Sequence, residues 1–355
     1  MFTLDAHLDL SLNAIEYNRD LRRSVREICE DEASMTDLKG RGNCTVAFPE
    51  MREAGIGLCV ATQLAGCMKP VLPIASWNSP AQARAMTQGQ LAWYRAMEEA
   101  GELRQIRSWV EIESHLEAWH ADPDSTPIGY ILSLEGADSL RTLADLESSH
   151  EQGLCAVGPA HYGKGRYALG HDQDGPLPDQ GRELLRKMDE LGIILDATHL
   201  CDQNFWQALD LFQGPVWASH HNCRSLVNDP RQLEDEQIKA LADRGSVIGI
   251  AFDVWMVVPG WEKGVTTRAD KPEANLEAVA DHVDHYCQLL GNARHVGIGT
   301  DLDGGYGTEQ TPAGLETIAD LNDFRTVLSR RGYSNEDLAA IFHQNFLDFL
   351  KKAWT

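Results

Sequence analysis

The sequence predicts a (β/α)8 barrel, with insertions after its first and seventh strands. Eight short apolar, β-branched runs recur along 355 residues and alternate with longer helical patterns. Near-continuous apolar strands mark a parallel sheet buried on both faces, and about eight strand–helix units in one chain indicate a closed barrel. Histidines and carboxylates gather at the carboxyl ends of these strands, the face on which barrel enzymes build their sites. A doubly wound open sheet is the alternative. No Gly-x-Gly-x-x-Gly turn follows the first strand to support it.

The first strand is the opening stretch Phe2-Thr-Leu-Asp-Ala-His7-Leu-Asp9-Leu. Residues two apart on a strand share a face, so His7 and Asp9 can converge on one point. The second run is 57–64 and the third is 128–135, ending at Glu135. The fourth, 153–161, ends at His161; the fifth, 193–199, at His199; the sixth, 215–220, at His220. The seventh is 247–252, and the eighth, 295–301, closes on Asp301. Between them, 81–100 reads as an amphipathic helix, as does 181–191, which stops at Gly192 as a C-terminal cap would. Ser334-Asn-Glu-Asp-Leu carries a capping signature for a last helix running towards Phe349.

Two stretches break the alternation. Residues 18–53 are charged and loop-like, an insertion after the first strand. Residues 252–272, with Trp255-Met-Val-Val-Pro-Gly-Trp261, form an aromatic, Pro- and Gly-rich loop after the seventh. Long loops inside compact domains are usually lids or binding surfaces. No repeat or linker divides the chain, so residues 1–355 are expected to form one domain.

Composition limits the partners. The 31 basic against 54 acidic residues give a net charge of −23, a field that repels a phosphate backbone and argues against nucleic acid. No apolar run approaches ~18 residues, so no membrane span is expected. The eight cysteines lack C-x-x-C spacing, which suits buried reduced thiols. With no charged-then-apolar leader before the first strand, a cytoplasmic location is expected.

Any one of these histidines, taken singly, reads as a structural residue hydrogen-bonded in the core. Their coincidence at so many strand ends does not, because burying each polar group costs free energy that must be recovered somewhere. Five nitrogen and oxygen ligands exceed one tetrahedral zinc with an open position. They suit two divalent metals sharing a carboxylate, roughly 3.5–4 Å apart around a bridging water. Asp301 fits the proton shuttle such a centre needs.

The motifs resemble those of the membrane (renal) dipeptidase family of binuclear zinc metallopeptidases, in particular its soluble bacterial members. They are Asp5-Ala-His7-Leu-Asp9-Leu, Ser133-Leu-Glu135-Gly136, Pro159-Ala-His161-Tyr, Gly192-Ile-Ile-Leu-Asp-Ala-Thr-His199, Ala218-Ser-His220, Asn228-Asp-Pro-Arg231 and Gly297-Ile-Gly-Thr-Asp301-Leu-Asp303-Gly304. They span nearly the whole chain in the family's order. The resemblance implies two zinc ions per chain, one held by His7, Asp9 and a bridging Glu135, the other by Glu135, His199 and His220. It further implies His161 as stabiliser of the oxyanion, Arg231 as partner of the substrate's terminal carboxylate, and Asp301 as general base and then acid. The implied reaction is hydrolysis of small dipeptides, often with a D-residue at the carboxyl end, and the implied assembly is a homodimer.

Alternatives stand beside this reading: another binuclear amidohydrolase acting on cyclic amides, N-acyl amino acids or esters, or a binding scaffold without catalysis. Asp303 could replace Asp301 as the shuttle, and His221 could compete as a ligand, although it should face away from His220. Asp196 is expected to orient a ligand histidine or simply to be buried and hydrogen-bonded. Thr198 and Ser219 are expected to point away from the ligands. His282 and His285, three apart on a helix over 276–290, are expected on a solvated outer face.

Overall fold

The computed structural model describes residues 2–67 and 71–355. Among the described residues there are nine parallel strands: β1 (Thr3–Leu8), β2 (Ile56–Leu64), β3 (Leu103–Gln105), β4 (Ile128–Glu135), β5 (Leu154–Gly158), β6 (Ile194–Asp196), β7 (Val216–Trp217), β8 (Ile248–Ile250) and β9 (Val296–Ile298). Eight of them run in the order β7-β6-β5-β4-β2-β1-β9-β8. The ring closes just past β7, where Ala218 bridges to Ile248 and exchanges backbone hydrogen bonds with Val247 and Gly249 at 3.1 and 2.8 Å. All eight are buried along their length, as the apolar runs require.

The ninth strand is an addition that sequence reading missed. β3 pairs with Ile128–Tyr130 of β4, below the point at Leu132 where β5 begins to pair. It covers backbone groups that would otherwise form an open edge. Three residues with an arginine in the middle carry too little periodicity to announce themselves.

The helices fall close to their expected places. Pro80–Glu99 follows β2, and Asp179–Leu191 stops at Gly192, whose φ of 68° is the left-handed cap conformation. Ser334 forms its capping box with Asp337. The last helix is not one continuous α-helix, however; it passes through a π-helical turn over Ala340–Gln344 before resuming to Trp354.

The insertion after the first strand is not loop-like but packed. Within residues 18–53 it holds the helices Val25–Glu32 and Phe48–Glu53. Buried Arg19 is its anchor, donating twice to Glu32 at 2.9 Å, to Asn13 Oδ1 at 2.7 Å and to the Gly40 carbonyl at 2.8 Å. A buried guanidinium is tolerated because its donors are met. Charge made this region look like loop, yet much of that charge is internally paired. The loop after β8 holds a 3-10 turn at Val254–Met256, and Val254, Val257, Val258 and Trp261 join the hydrophobic core.

Glycine sets one close approach that bears on the site. A Cβ at Gly249 or Gly299 would lie 1.9 or 1.8 Å from the carbonyl oxygen of Ser219. Only glycine lets β8 and β9 close around the segment that carries His220.

Candidate metal centre

The strands deliver their polar residues to one point at the barrel's C-terminal mouth. His7 lies within β1 and Asp9 directly after it; Glu135 is the last residue of β4. His161, His199, His220 and Asp301 lie a few residues beyond β5, β6, β7 and β9 rather than on the strands themselves. His199 and Asp301 have φ of 67° and 58°. A non-glycine residue in this left-handed region is uncommon and costs about 1 kcal/mol or more, and such strain concentrates at functional sites.

Glu135 stands in the middle. Its Oε1 lies 3.1 Å from His199 Nε2 and 3.5 Å from His220 Nε2. Its Oε2 lies 3.6 Å from His7 Nε2, which is itself 3.8 Å from Asp9 Oδ2 and 3.7 Å from Asp301 Oδ1. The donor atoms therefore form overlapping trios: His7–Asp9–Glu135, Glu135–His199–His220 and His7–His220–Asp301. Ligands about 2.0–2.1 Å from a tetrahedral ion are separated by about 3.3–3.4 Å. The Glu135–His199–His220 trio, with 3.2 Å between the two imidazoles, matches that spacing. His7 Nε2 is buried without a hydrogen-bond partner, a state that a metal bond would satisfy. The residues present fit divalent metal.

Electrostatics agree. Burial holds His199 and His220 well below the usual histidine range, with Arg231 adding to it at His199, and His7 and then Arg231 at His220, so both are neutral donors as a metal ligand must be. Burial also opposes charge on His7, but Glu135, Asp9 and Asp301 outweigh it and push its pKa up to about 10. The carboxylates thus call for positive charge at this point. Burial raises Asp301 to about 7, with Asp9 and Asp253 adding and His7 and Arg231 opposing. Burial lowers His161 to about 4, leaving a neutral ring beside the cluster, 4.7 Å from that of His199.

Arg231 is buried and lines the same cavity of about 300 Å³ as Glu135, His161, His199, His220 and Asp301. Its Nη2 donates to the His220 carbonyl at 2.9 Å, and its Nη1 lies 3.1 Å from His221 Nδ1. Among the described residues it has no carboxylate partner within 4.0 Å. A buried guanidinium so placed favours an anion in the cavity.

The neighbours sort themselves by what they touch. Asp303 does not face the cluster; Thr45 and Val46 donate backbone N–H groups to it at 2.8 and 3.0 Å, and the Thr45 hydroxyl at 2.8 Å. Asp196 accepts from the backbone of Thr198 and Ser219 and reaches no ligand imidazole. His221 turns to Arg231.

Two expectations fail. Ser219 does not point away: its Oγ lies 2.9 Å from His220 Nδ1 and 3.5 Å from His7 Nδ1, with Thr198 Oγ1 at 3.3 Å behind it. Past β7 the chain leaves strand geometry, and the alternation of faces no longer holds. His282 is not solvated but fully buried. It accepts from the Cys223 N–H at 3.1 Å and lies 3.0 Å from the Val257 carbonyl, while His285 contacts Asp235 at 2.8 Å.

Sequence reading also missed residues. His171 is buried with Nδ1 3.2 Å from His199 Nδ1; it sits in the loop after β5, where no periodicity marks it. Asp5 accepts from the backbone of His7 and Thr300 and from the Thr300 hydroxyl at 3.1, 2.9 and 2.6 Å, tying β1 to the Asp301 turn. Its place in the opening motif was the available signal.

A closed parallel barrel whose mouth gathers histidines around one shared carboxylate defines the class: a (β/α)8 barrel of the metal-dependent hydrolase type. The chain belongs to the membrane dipeptidase family, peptidase family M19, whose sequence profile matches residues 1–355. It is 29% identical to an uncharacterized dipeptidase of Schizosaccharomyces pombe over 48% of this chain and 39% of that protein. It is also 29% identical to the dipeptidase tcpJ of Claviceps purpurea over 63% of this chain and 51% of that one. The aligned stretch is thus about half or less of these curated relatives. Its fold is similar to that of a metallo peptidase from Rhodobacter sphaeroides crystallised with a phosphinate mimic of L-Ala-D-Ala, at TM-score 0.79 and 22% identity, covering 100% of this chain and 99% of that one.

Proposed function

We propose that this protein is a metallo-dipeptidase that hydrolyses the peptide bond of small dipeptides at a centre of two zinc ions. The observation that carries the reading is the juxtaposition of the Glu135-centred cluster with buried Arg231 in one cavity. His7, Asp9 and Glu135 would hold one ion; Glu135, His199 and His220 the other. Bound there, the ions supply Lewis acidity toward the peptide carbonyl and lower the pKa of the attacking water.

The remaining roles fall to the chain's own groups. Arg231 grips the substrate's terminal carboxylate, for which its planar fork is suited, and so fixes how far the scissile bond sits from the cluster. Neutral His161 donates an N–H to the carbonyl oxygen as negative charge develops on it. Asp301, near neutrality and beside His7, takes the proton of the attacking water on its carboxylate and returns it to the leaving amine. His171 and Ser219 hold the His199 and His220 rings in orientation through their Nδ1 atoms. An amidohydrolase acting on uncharged cyclic amides or esters would leave Arg231 without a use, whereas an N-acyl amino acid would offer it the same carboxylate as a dipeptide.

The same reading takes residues 1–355 as a single barrel domain, cytoplasmic and homodimeric. All eight cysteines are free thiols, and no described helix is long and apolar enough to cross a membrane; the first supports a reducing compartment. The resemblance alone supports the dimer. The test is a dipeptide library, with L- and D-residues at the carboxyl end, offered to metal-loaded protein. Cleavage of dipeptides but not of N-acyl amino acids or cyclic amides is expected. The reverse preference would overturn the assignment.

A further inference from the structure

The reaction above leaves two cations of the cavity unused. Lys263, in the loop after β8, places its ammonium 3.7 Å from the centroid of the Trp255 ring and donates to the Tyr162 hydroxyl at 3.1 Å. Lys39, in the excursion after β1, donates to Gln310 Oε1 at 2.5 Å. Both are exposed at the rim, and both line the cavity that holds Glu135 and Arg231. Neither forms an ion pair within 4.0 Å among the described residues.

The one carboxylate on this outer wall is committed elsewhere. Asp253 is buried and accepts from Gln310 Nε2 at 2.8 and 2.9 Å and from Trp255 Nε1 at 2.6 Å. It works as a bracket: Gln310 links it to Lys39, and Trp255 links it to Lys263. The carboxylates of the inner wall, Asp9, Glu135 and Asp301, belong to the metal cluster. So in a chain of net charge −23, Lys39, Lys263 and Arg231 gather in one cavity; the nearby carboxylates, Asp253 and Glu309 for Lys39 and Asp253, Asp301 and Asp229 for Lys263, act on the two lysines without pairing with either. Burial and the nearby charge of Arg231 both disfavour the Lys263 ammonium, while Asp253 favours it. A ligand that carries one anion for Arg231 and a second for the lysines matches this field.

We propose that the preferred substrates are dipeptides with an acidic side chain on the carboxyl-terminal residue, its second carboxylate received by Lys263 and Lys39. This rests on the dipeptidase reading. Because Arg231 takes the terminal carboxylate of that residue and acts on Lys263 in the same cavity, the second carboxylate is assigned to that residue's own side chain.

The experiment compares kcat/KM of the metal-loaded enzyme for Ala-Asp, Ala-Asn, Ala-Ala and Asp-Ala, each with both configurations at the carboxyl end. Ala-Asp is expected to exceed its neutral isostere Ala-Asn by roughly two- to fivefold, the range a partly exposed charge pair supplies. Added salt should shrink that ratio. Lys263→Met and Lys39→Met should each lower kcat/KM for Ala-Asp more than for Ala-Asn, through KM, and Lys263→Arg should restore the ratio. Equal rates for Ala-Asp and Ala-Asn, with Ala-Ala cleaved, would overturn the proposal and leave the dipeptidase reading standing. Preference for Asp-Ala over Ala-Asp would overturn it as well. Failure to cleave any of the four would instead overturn the dipeptidase reading itself.

Discussion

Arg231 donates from Nη2 to the main-chain carbonyl of His220 at 2.9 Å. The buried guanidinium is thereby fastened to a residue of the candidate metal cluster. The bond runs through the backbone, so the imidazole remains free to face Glu135 at 3.5 Å. The proposed substrate grip and the proposed metal grip would thus share a support without sharing a functional atom.

Arg231→Ala is therefore expected to raise KM while metal content per chain stays unchanged. Losing a charge-assisted bidentate grip corresponds to about 1.5–3 kcal/mol, or roughly ten- to a hundredfold in KM. Steady-state kinetics beside elemental analysis checks this. Unchanged KM on every cleaved dipeptide would remove Arg231 from substrate binding.

Glu135 offers one oxygen to His7 and the other to His199 and His220, so its loss should weaken both metal positions together. Wild-type protein is expected to hold about two equivalents of zinc. Chelation should abolish activity, metal should restore it, and the melting temperature should fall on removal because metal binds the folded state. Glu135→Ala should retain less than one equivalent after dialysis. Full retention of two would contradict the shared-carboxylate arrangement.

The glycines beneath Ser219 give a paired stability test. Gly299→Ala places a Cβ 1.8 Å from the Ser219 carbonyl oxygen, forcing the segment with His220 to move. A loss of about 2 kcal/mol or more is expected, together with weaker zinc retention. Gly192→Ala has the left-handed φ of 68° but open space around it, and should cost only about 1 kcal/mol with zinc binding intact. Thermal unfolding of both variants separates overpacking from backbone strain.

Burial lowers the pKa of His282 to about 4, with its contact to the Val257 carbonyl opposing the shift. The unfolded chain binds its proton near pH 6.5 and the folded chain only near 4, so stability from this group is complete above 6.5. It falls as pH drops through that interval, by up to about 3 kcal/mol. His282→Asn, which keeps an acceptor for the Cys223 N–H, should be less stable at pH 7.5 and should flatten the slope between pH 6.5 and 4. Denaturant titrations at several pH values read this, and parallel slopes would contradict it.

The sequence by itself determined the barrel and the residue types at its mouth. Buried parallel strands must be apolar, so each shows as a run, and a charged residue closing such a run stands out against it. That signal found His7, Asp9, Glu135, His161, His199, His220 and Asp301, because each is local to one strand and its immediate exit. Only the tertiary structure decided what lies beyond the strands. Ser219 turns to His220 rather than away, and His171 reaches His199 from a loop 28 residues earlier. Asp303 binds the excursion after β1, and His282 is sealed in the core. His199 and Asp301 take their aim from left-handed backbone. These are contacts between segments distant in sequence, made where the chain has left its regular period. No local pattern encodes them, and closure of the barrel fixes them all at once.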